Sequence, residues 1–317
     1  MRLATISHSH IALRQQLFFQ EVARQGDEVI VISPGEWFDF RAKDYDEGSF
    51  HLRTCRHIGD NIYMYKLLGA KELVEEFKPD WLYVQAEPGS LTADEALDWK
   101  VDKRALFTWE NVDIKGNGTL QLPKYDLVIC GNPEAEALVK MWNPHTALML
   151  QVGVPTDHFQ ARPRVSRNIE VAYIGRPAPE KGVPYLMRAW PTARVLPWTD
   201  FKDLPWRYSQ VKVVVSYSQD IPEWKEQAPN YVVLEALSCG CRAVVSDTAA
   251  MKYWLEGCPG VTSVELNSLW STEEELLRRG IKKALDADVG DDGRDWVIDN
   301  FSNPIMAGKL LEVLEHA

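Results

Sequence analysis

The chain has 317 residues, too many for one hydrophobic core and about the length of two α/β domains. With 45% hydrophobic and 26% charged residues it has the composition of an ordinary globular protein, not of a disordered or fibrous one. A formal net charge of −11 argues against broad attraction to nucleic acid or anionic lipid, yet leaves room for a local basic site that holds a phosphate.

No apolar run is long enough for a membrane span, and the strand-like start Met1–Ile6 is too short for a signal segment. The five cysteines form no zinc-type spacing, and Cys239-Gly-Cys241 is too short for a metal knuckle. Cys130 and Cys239 lie in apolar contexts and read as buried free thiols. A cytoplasmic protein is expected, without integral membrane association and with peripheral membrane contact left open.

Residues 2–6 read as a buried strand, followed by Ser7-His8-Ser9-His10 and a helix over 12–25 that Gly26 closes. Glu28–Ile32 is the next strand, which completes a βαβ unit of the kind that builds parallel sheets with ligands at the strand ends. The loop carrying His8 and His10 therefore lies at a strand outlet, as a turn with two incidental histidines or as a phosphate contact. Residues 36–59 read as irregular, and a helix is expected over 61–77, stopped by Pro79. Strands follow at 81–84, 105–107 and 126–130, with a helix over 92–100 between the first two. Asn132-Pro133-Glu134 is a good cap and first turn for a helix to Trp142. The first half closes over 147–151.

The basic stretch 160–168 reads as a linker, and the alternation then begins again. Strands are expected at 170–174, 195–196, 211–216, 243–245 and 261–264. Helices are expected at 183–190, 204–208, 273–285, 294–300 and 304–314. Two tandem βα halves would leave a cleft where strand ends converge. The twelve tryptophans exceed the usual number; Trp37, Trp81, Trp99, Trp109, Trp198, Trp206 and Trp224 fall near element ends, where packing and sugar stacking are both open.

Two segments carry chemistry. Gly175-Arg176 and Lys181-Gly182 flank a strand outlet and a helix start, a good setting for a diphosphate, although solvated basic residues at a helix opening are the bland alternative. In Glu226–Asp247 a loop with Pro229 leads to a helix carrying Glu235, then Gly240 and a buried strand, which places a carboxylate at the mouth of a sheet.

The run Tyr173-Ile-Gly-Arg-Pro-Ala-Pro-Glu-Lys-Gly-Val183 resembles the donor-phosphate segment of retaining GT-B glycosyltransferases, specifically glycosyltransferase family 4. The stretch Glu226–Asp247 resembles that family's segment of two spaced glutamates and the strand after it. Lys78-Pro79-Asp80, Gln85-Ala-Glu87-Pro88 and Gly153-Val154-Pro155 fall in the same order, so the resemblance spans nearly the whole chain.

The resemblance implies an α/β GT-B fold, two Rossmann-like domains facing each other across a cleft. Residues 1–158 would form the acceptor side and 159–302 the donor side, with 303–317 a helix returning to the first domain. It further implies a nucleotide-sugar co-substrate, a UDP- or GDP-sugar, with no cofactor and no metal. Gly175, Arg176 and Lys181 would bind the diphosphate, and Glu235 the ribose hydroxyls. Ala228, Pro229, Asn230 and Tyr231 would meet the sugar, and His8 and His10 are candidate first-loop contacts. Glu110 is the candidate for positioning or deprotonating the acceptor hydroxyl, with a structural carboxylate of nearly equal weight.

The chain departs from the family pattern upstream of Glu235. Counting eight back gives Gln227, whereas the glutamate is Glu226. Either Gln227 takes that catalytic position, or one extra residue in Pro229-Asn230-Tyr231 restores Glu226 to it, the reading favoured here. The first loop also lacks the family's glycine-rich turn. The implied acceptor is a hydroxyl on a glycan, a lipid-linked glycan, a small molecule or a modified DNA base, the last disfavoured by the net charge. The oligomeric state is not specified. A catalytically reduced GT-B-like binding or scaffold protein is the alternative. A dinucleotide oxidoreductase would need a glycine fingerprint where residues 7–12 read Ser-His-Ser-His-Ile-Ala.

Overall fold

In a computed structural model the chain divides into two compact units, residues 1–153 with 303–317, and residues 154–302. The structure describes residues 1–197, 199–222, 224–266, 270–287 and 291–317, so the expectation for Trp198 lies outside the described residues.

The first unit is built on a parallel sheet of β1 (Arg2–Ile6), β2 (Glu28–Pro34), β3 (Phe50–Ile58), β4 (Trp81–Gln85), β5 (Lys103–Thr108), β6 (Leu127–Cys130) and β7 (Thr146–Leu148). Their spatial order is β7-β6-β5-β4-β1-β2-β3, with Tyr45–Glu47 added antiparallel at the β3 edge. That is a doubly wound order whose direction reverses between β1 and β4. Leu3, Ala4, Ile6, Val29, Ile32, Leu82 and Val84 are all buried, because helices cover both faces of such a sheet.

The helix Leu13–Arg24 begins one residue later than expected, after a short 3-10 turn over His8–Ile11 that Ser7 caps. Gly26 follows it at φ +107°, in the left-handed region that glycine tolerates. The helix Asn303–His316 packs on it from the other end of the sequence, and the Gln25 amide donates to the Pro304 carbonyl at 2.8 Å.

Two readings in this unit are corrected. Residues 36–59 are not irregular: they form the hairpin Glu36–Trp37 with Phe40–Arg41 and the nine-residue strand β3. The helix expected over 61–77 is confined to Ala70–Phe77, preceded by the strand Lys66–Leu68 antiparallel to β3. Gly69, at φ +86°, separates the two.

The second unit is a five-stranded parallel sheet of β8 (Ile169–Ile174), β9 (Arg194–Leu196), β10 (Val211–Ser216), β11 (Arg242–Ser246) and β12 (Val261–Val264). The order is β9-β8-β10-β11-β12, reversing between β8 and β10. Its core joins Val171, Val213, Val215 and Val244 to Leu277 and Ile281 of the helix Trp270–Asp286. The linker arginine Arg167 donates to the Val211 and Cys239 carbonyls at 2.7 Å, tying the entry of the unit to its strands. The sequence reading missed the helix Ala249–Leu255. All five cysteines are buried and free. Among the described residues no helix is long and apolar enough to cross a membrane.

Candidate active site

In the second unit the outlets of β8 and β10 lie side by side at the point where strand order reverses, the place where open α/β sheets bind ligands. A cavity of about 210 Å³ opens there, lined by Gly175, Arg176 and Lys181 after β8, Ser216 at the end of β10, and Asn230 and Val232 further on. Gly175 takes φ +139°, and the Tyr173 hydroxyl fastens the turn by donating to the Arg176 carbonyl at 2.8 Å. A 3-10 turn, Pro179–Lys181, brings Lys181 back toward the cavity. Gly182 then takes φ +66°, and a Cβ there would stand 1.9 Å from the Tyr217 carbonyl oxygen. Only glycine lets the two outlets come so close.

Lys181 and Glu226 meet. The ammonium donates to the Glu226 carboxylate at 3.0 Å and lies 4.4 Å from the centre of the Trp224 ring. Glu226 is buried, and the same carboxylate oxygen accepts from the Ser218 hydroxyl and, at 2.8 Å, from the Asn230 amide. The Asn230 amide also reaches the Ser216 hydroxyl at 2.9 Å. Asn230 has φ +43°, one of few non-glycine residues with a positive value, and it sits immediately before the helix Tyr231–Ser238. Gln227, half-buried, donates its backbone N–H to the other Glu226 oxygen at 3.2 Å. Ala228 and Tyr231 are half-buried and Pro229 is buried. Arg176 is 78% exposed and pairs with Glu180 at 3.2 Å.

Glu235 lies in the second turn of the helix Tyr231–Ser238. It is 1% exposed and accepts the Tyr208 hydroxyl at 2.8 Å. Lys181, Glu226 and Asn230 are thus brought together, with Gly175 and Arg176 on the same cavity and Glu235 deeper in the unit. Sequence reasoning missed Ser216, Ser218 and the part played by Trp224. The available signal was a pair of serines directly behind the apolar run of β10.

In the first unit His10 is fully buried, with its ring nitrogens 3.1 Å from the Ile32 carbonyl and 3.2 Å from the Gln85 side chain. Burial lowers its pKa to about 4, so it is neutral at neutral pH. His8 packs against Trp37 and Tyr65, its backbone N–H donates to the Tyr65 hydroxyl at 3.1 Å, and burial lowers its pKa to about 4 as well. Glu87, at the outlet of β4, accepts from the Thr108 hydroxyl at 2.5 Å and from the Trp109 N–H. Glu110 is 5% exposed and lies 3.4 Å from the Lys115 ammonium; burial raises its pKa against the pull of that charge. Trp37, Trp81 and Trp99 are core residues, and Trp109 packs over Gly131, where a Cβ would stand 2.0 Å from its ring. Among the described residues no group of three or more His, Cys, Asp or Glu is placed to hold a metal ion.

No family model and no curated protein matches the sequence. Solved structures do. A sucrose-phosphate synthase from Thermosynechococcus elongatus aligns at TM-score 0.71 and 12% identity, over 99% of this chain and 98% of that one. Anabaena HepE in complex with UDP aligns at 0.69 and 11%, over 100% and 99%. A glycosyltransferase from Rickettsia africae aligns at 0.69 and 14%, over 100% and 99%. At these identities the likeness speaks for the fold, and end to end the chain has the GT-B fold of glycosyltransferases.

Proposed function

We propose that the protein is a retaining glycosyltransferase of family 4 type, moving a sugar from a nucleotide diphosphate donor to a hydroxyl acceptor. The observation that carries this reading is the pairing of Lys181 with the buried Glu226 at the switch point of the second sheet. Lys181 and Arg176 neutralise the diphosphate and the charge that grows on the leaving nucleotide, a role in which fixed cations are worth most away from water. Glu226, held by Ser218 and Asn230, meets the sugar and opposes positive charge at the anomeric carbon. Gln227 would offer hydrogen bonds there but no charge. Ala228, Pro229, Asn230 and Tyr231 form the sugar-side loop. Anabaena HepE has been solved with UDP and with UDP-glucose, which supports a UDP-sugar here, with a GDP-sugar as the second choice.

Glu235 is assigned to the ribose hydroxyls, a carboxylate offering two acceptors to two donors. In the first unit Glu110 would position or deprotonate the acceptor hydroxyl, since a carboxyl with a raised pKa takes up a proton more readily at neutral pH. Transfer with retention then proceeds on the front face without a protein nucleophile. The second reading is a catalytically reduced GT-B-like binding protein, and the depth of Glu235 against Tyr208 is the observation in its favour.

A thermal-shift panel of nucleoside diphosphates, followed by donor turnover assays, tests the proposal. UDP or GDP at a hundred times its Kd stabilises the folded protein by about 2.7 kcal/mol. Lys181→Ala or Arg176→Ala, each compared with its own ligand-free midpoint, removes that shift. A shift that survives both changes refutes the donor-site assignment. Stabilisation without turnover of any common nucleotide sugar selects the binding-protein reading.

A further inference from the structure

Lys181, the ammonium assigned to the phosphates, already has an anion. Its partner Glu226 is buried, while Lys181 itself is 21% exposed at the end of a flexible stem. Two charges so placed stabilise each other, and removing either strands the other in a poorly solvated site.

The two partners are anchored very unequally. Glu226 accepts from the Ser218 hydroxyl, the Asn230 amide and the Gln227 N–H besides Lys181. Asn230 is itself pinned by Ser216 and by a backbone held at φ +43°. Lys181 meets the carboxylate at 3.0 Å and lies 4.4 Å from the centre of the Trp224 ring. Should the pair open, the carboxylate keeps its hydrogen bonds and stays in place, and the ammonium swings.

We propose that Glu226 is a stand-in anion for the diphosphate: it keeps Lys181 aimed at the resting cavity, and an arriving nucleoside diphosphate takes the ammonium by exchange. The inference rests on the donor-site reading above and adds an order of events to it. The Glu226 charge is neutralised while the site is empty. It is released toward the sugar only once phosphate oxygens have claimed Lys181. No bond is made or broken. Part of the diphosphate affinity is spent on opening the pair.

The test is calorimetric titration of UDP and GDP into the wild type, Glu226→Gln and Asp220→Asn. Glutamine keeps an acceptor for Ser218 and Asn230 but gives up the charge that holds Lys181. Glu226→Gln is therefore expected to bind the nucleoside diphosphate about tenfold more tightly, even as sugar transfer falls. Asp220 accepts the Glu226 N–H at 3.3 Å and carries a charge on the same loop; removing that charge is expected to leave affinity within about twofold. Affinity unchanged or weakened in Glu226→Gln, with normal wild-type binding, overturns the exchange and leaves the donor site standing. Equal tightening in both variants also overturns it, since loop charge alone would then suffice. If Glu226→Gln does not fold, a structure of the wild type with UDP decides: Lys181 still at hydrogen-bond distance from Glu226 overturns the proposal. A wild type that binds no nucleoside diphosphate removes the donor-site reading, and this one with it.

Discussion

At the scale of single residues, the site is held by groups that tolerate little change. Gly182 is required by conformation and by space at once, so Gly182→Ala should cost about 2 kcal/mol or more, from the left-handed backbone and the Tyr217 contact together. Urea unfolding with and without UDP would show both the loss of stability and the loss of the nucleotide shift. Tyr208→Phe withdraws a hydrogen bond from the buried Glu235 carboxylate, and hydrogen bonds to charged groups are worth about 1.5–3 kcal/mol. Denaturant midpoints check that figure.

His10 makes a pH prediction with a definite sign. Its folded pKa is depressed to about 4 from an ordinary 6.5, so between those values the unfolded chain binds more protons. Its contribution is complete above the unfolded pKa and fades as pH falls through the folded one, a loss of about 2 kcal/mol already by pH 5. Stability measured at pH 7 and pH 5 should therefore converge in His10→Asn relative to wild type. A pH dependence unaltered by the substitution would show that His10 is not the group titrating.

At the scale of elements, legibility followed burial. β2 and β4 lie inside a sheet covered on both faces and read as unbroken apolar runs over Val29–Ile32 and Trp81–Val84, and β1 and β10 are interrupted only by Thr5 and Lys212. β3 carries His51 and Arg53 between its buried Phe50, Leu52 and Cys55, with Arg56 and His57 beyond, and so presents no apolar run. The short strand Lys66–Leu68 imitates a helix start, because three residues cannot display a period. The helix Asn303–His316 buries Met306, Leu310 and Leu314 in the first unit. Leu310→Ala should cost about 2–5 kcal/mol, as deletions at buried leucines do. Thermal or chemical unfolding of the first unit would register it.

At the scale of the whole molecule, the first unit is closed by residues from both ends of the chain, whereas the second is continuous. Ending the chain at Ser302 should therefore destabilise the first unit and spare the second. Hydrogen exchange separates the two: protection is expected to fall in residues 1–153 and to hold over β8 to β12, where UDP should still raise it. Uniform loss across both units would contradict the division.

The sequence by itself determined the alternation of strands and helices and the short set of residues worth suspecting, because strand burial, helix capping and glycine turns are local properties. It also named Lys181 and Glu226, but only as separate candidates. Their meeting spans 45 positions and depends on β8 lying beside β10, on a glycine that lets two outlets touch, and on Asn230 adopting a left-handed backbone. Glu226 presents its side chain to Lys181 with Ser218 and Asn230 holding it there, partners that no count along the chain could weigh. Strand order and side-chain partnership are set by long-range packing, and for that reason only the tertiary structure decided them.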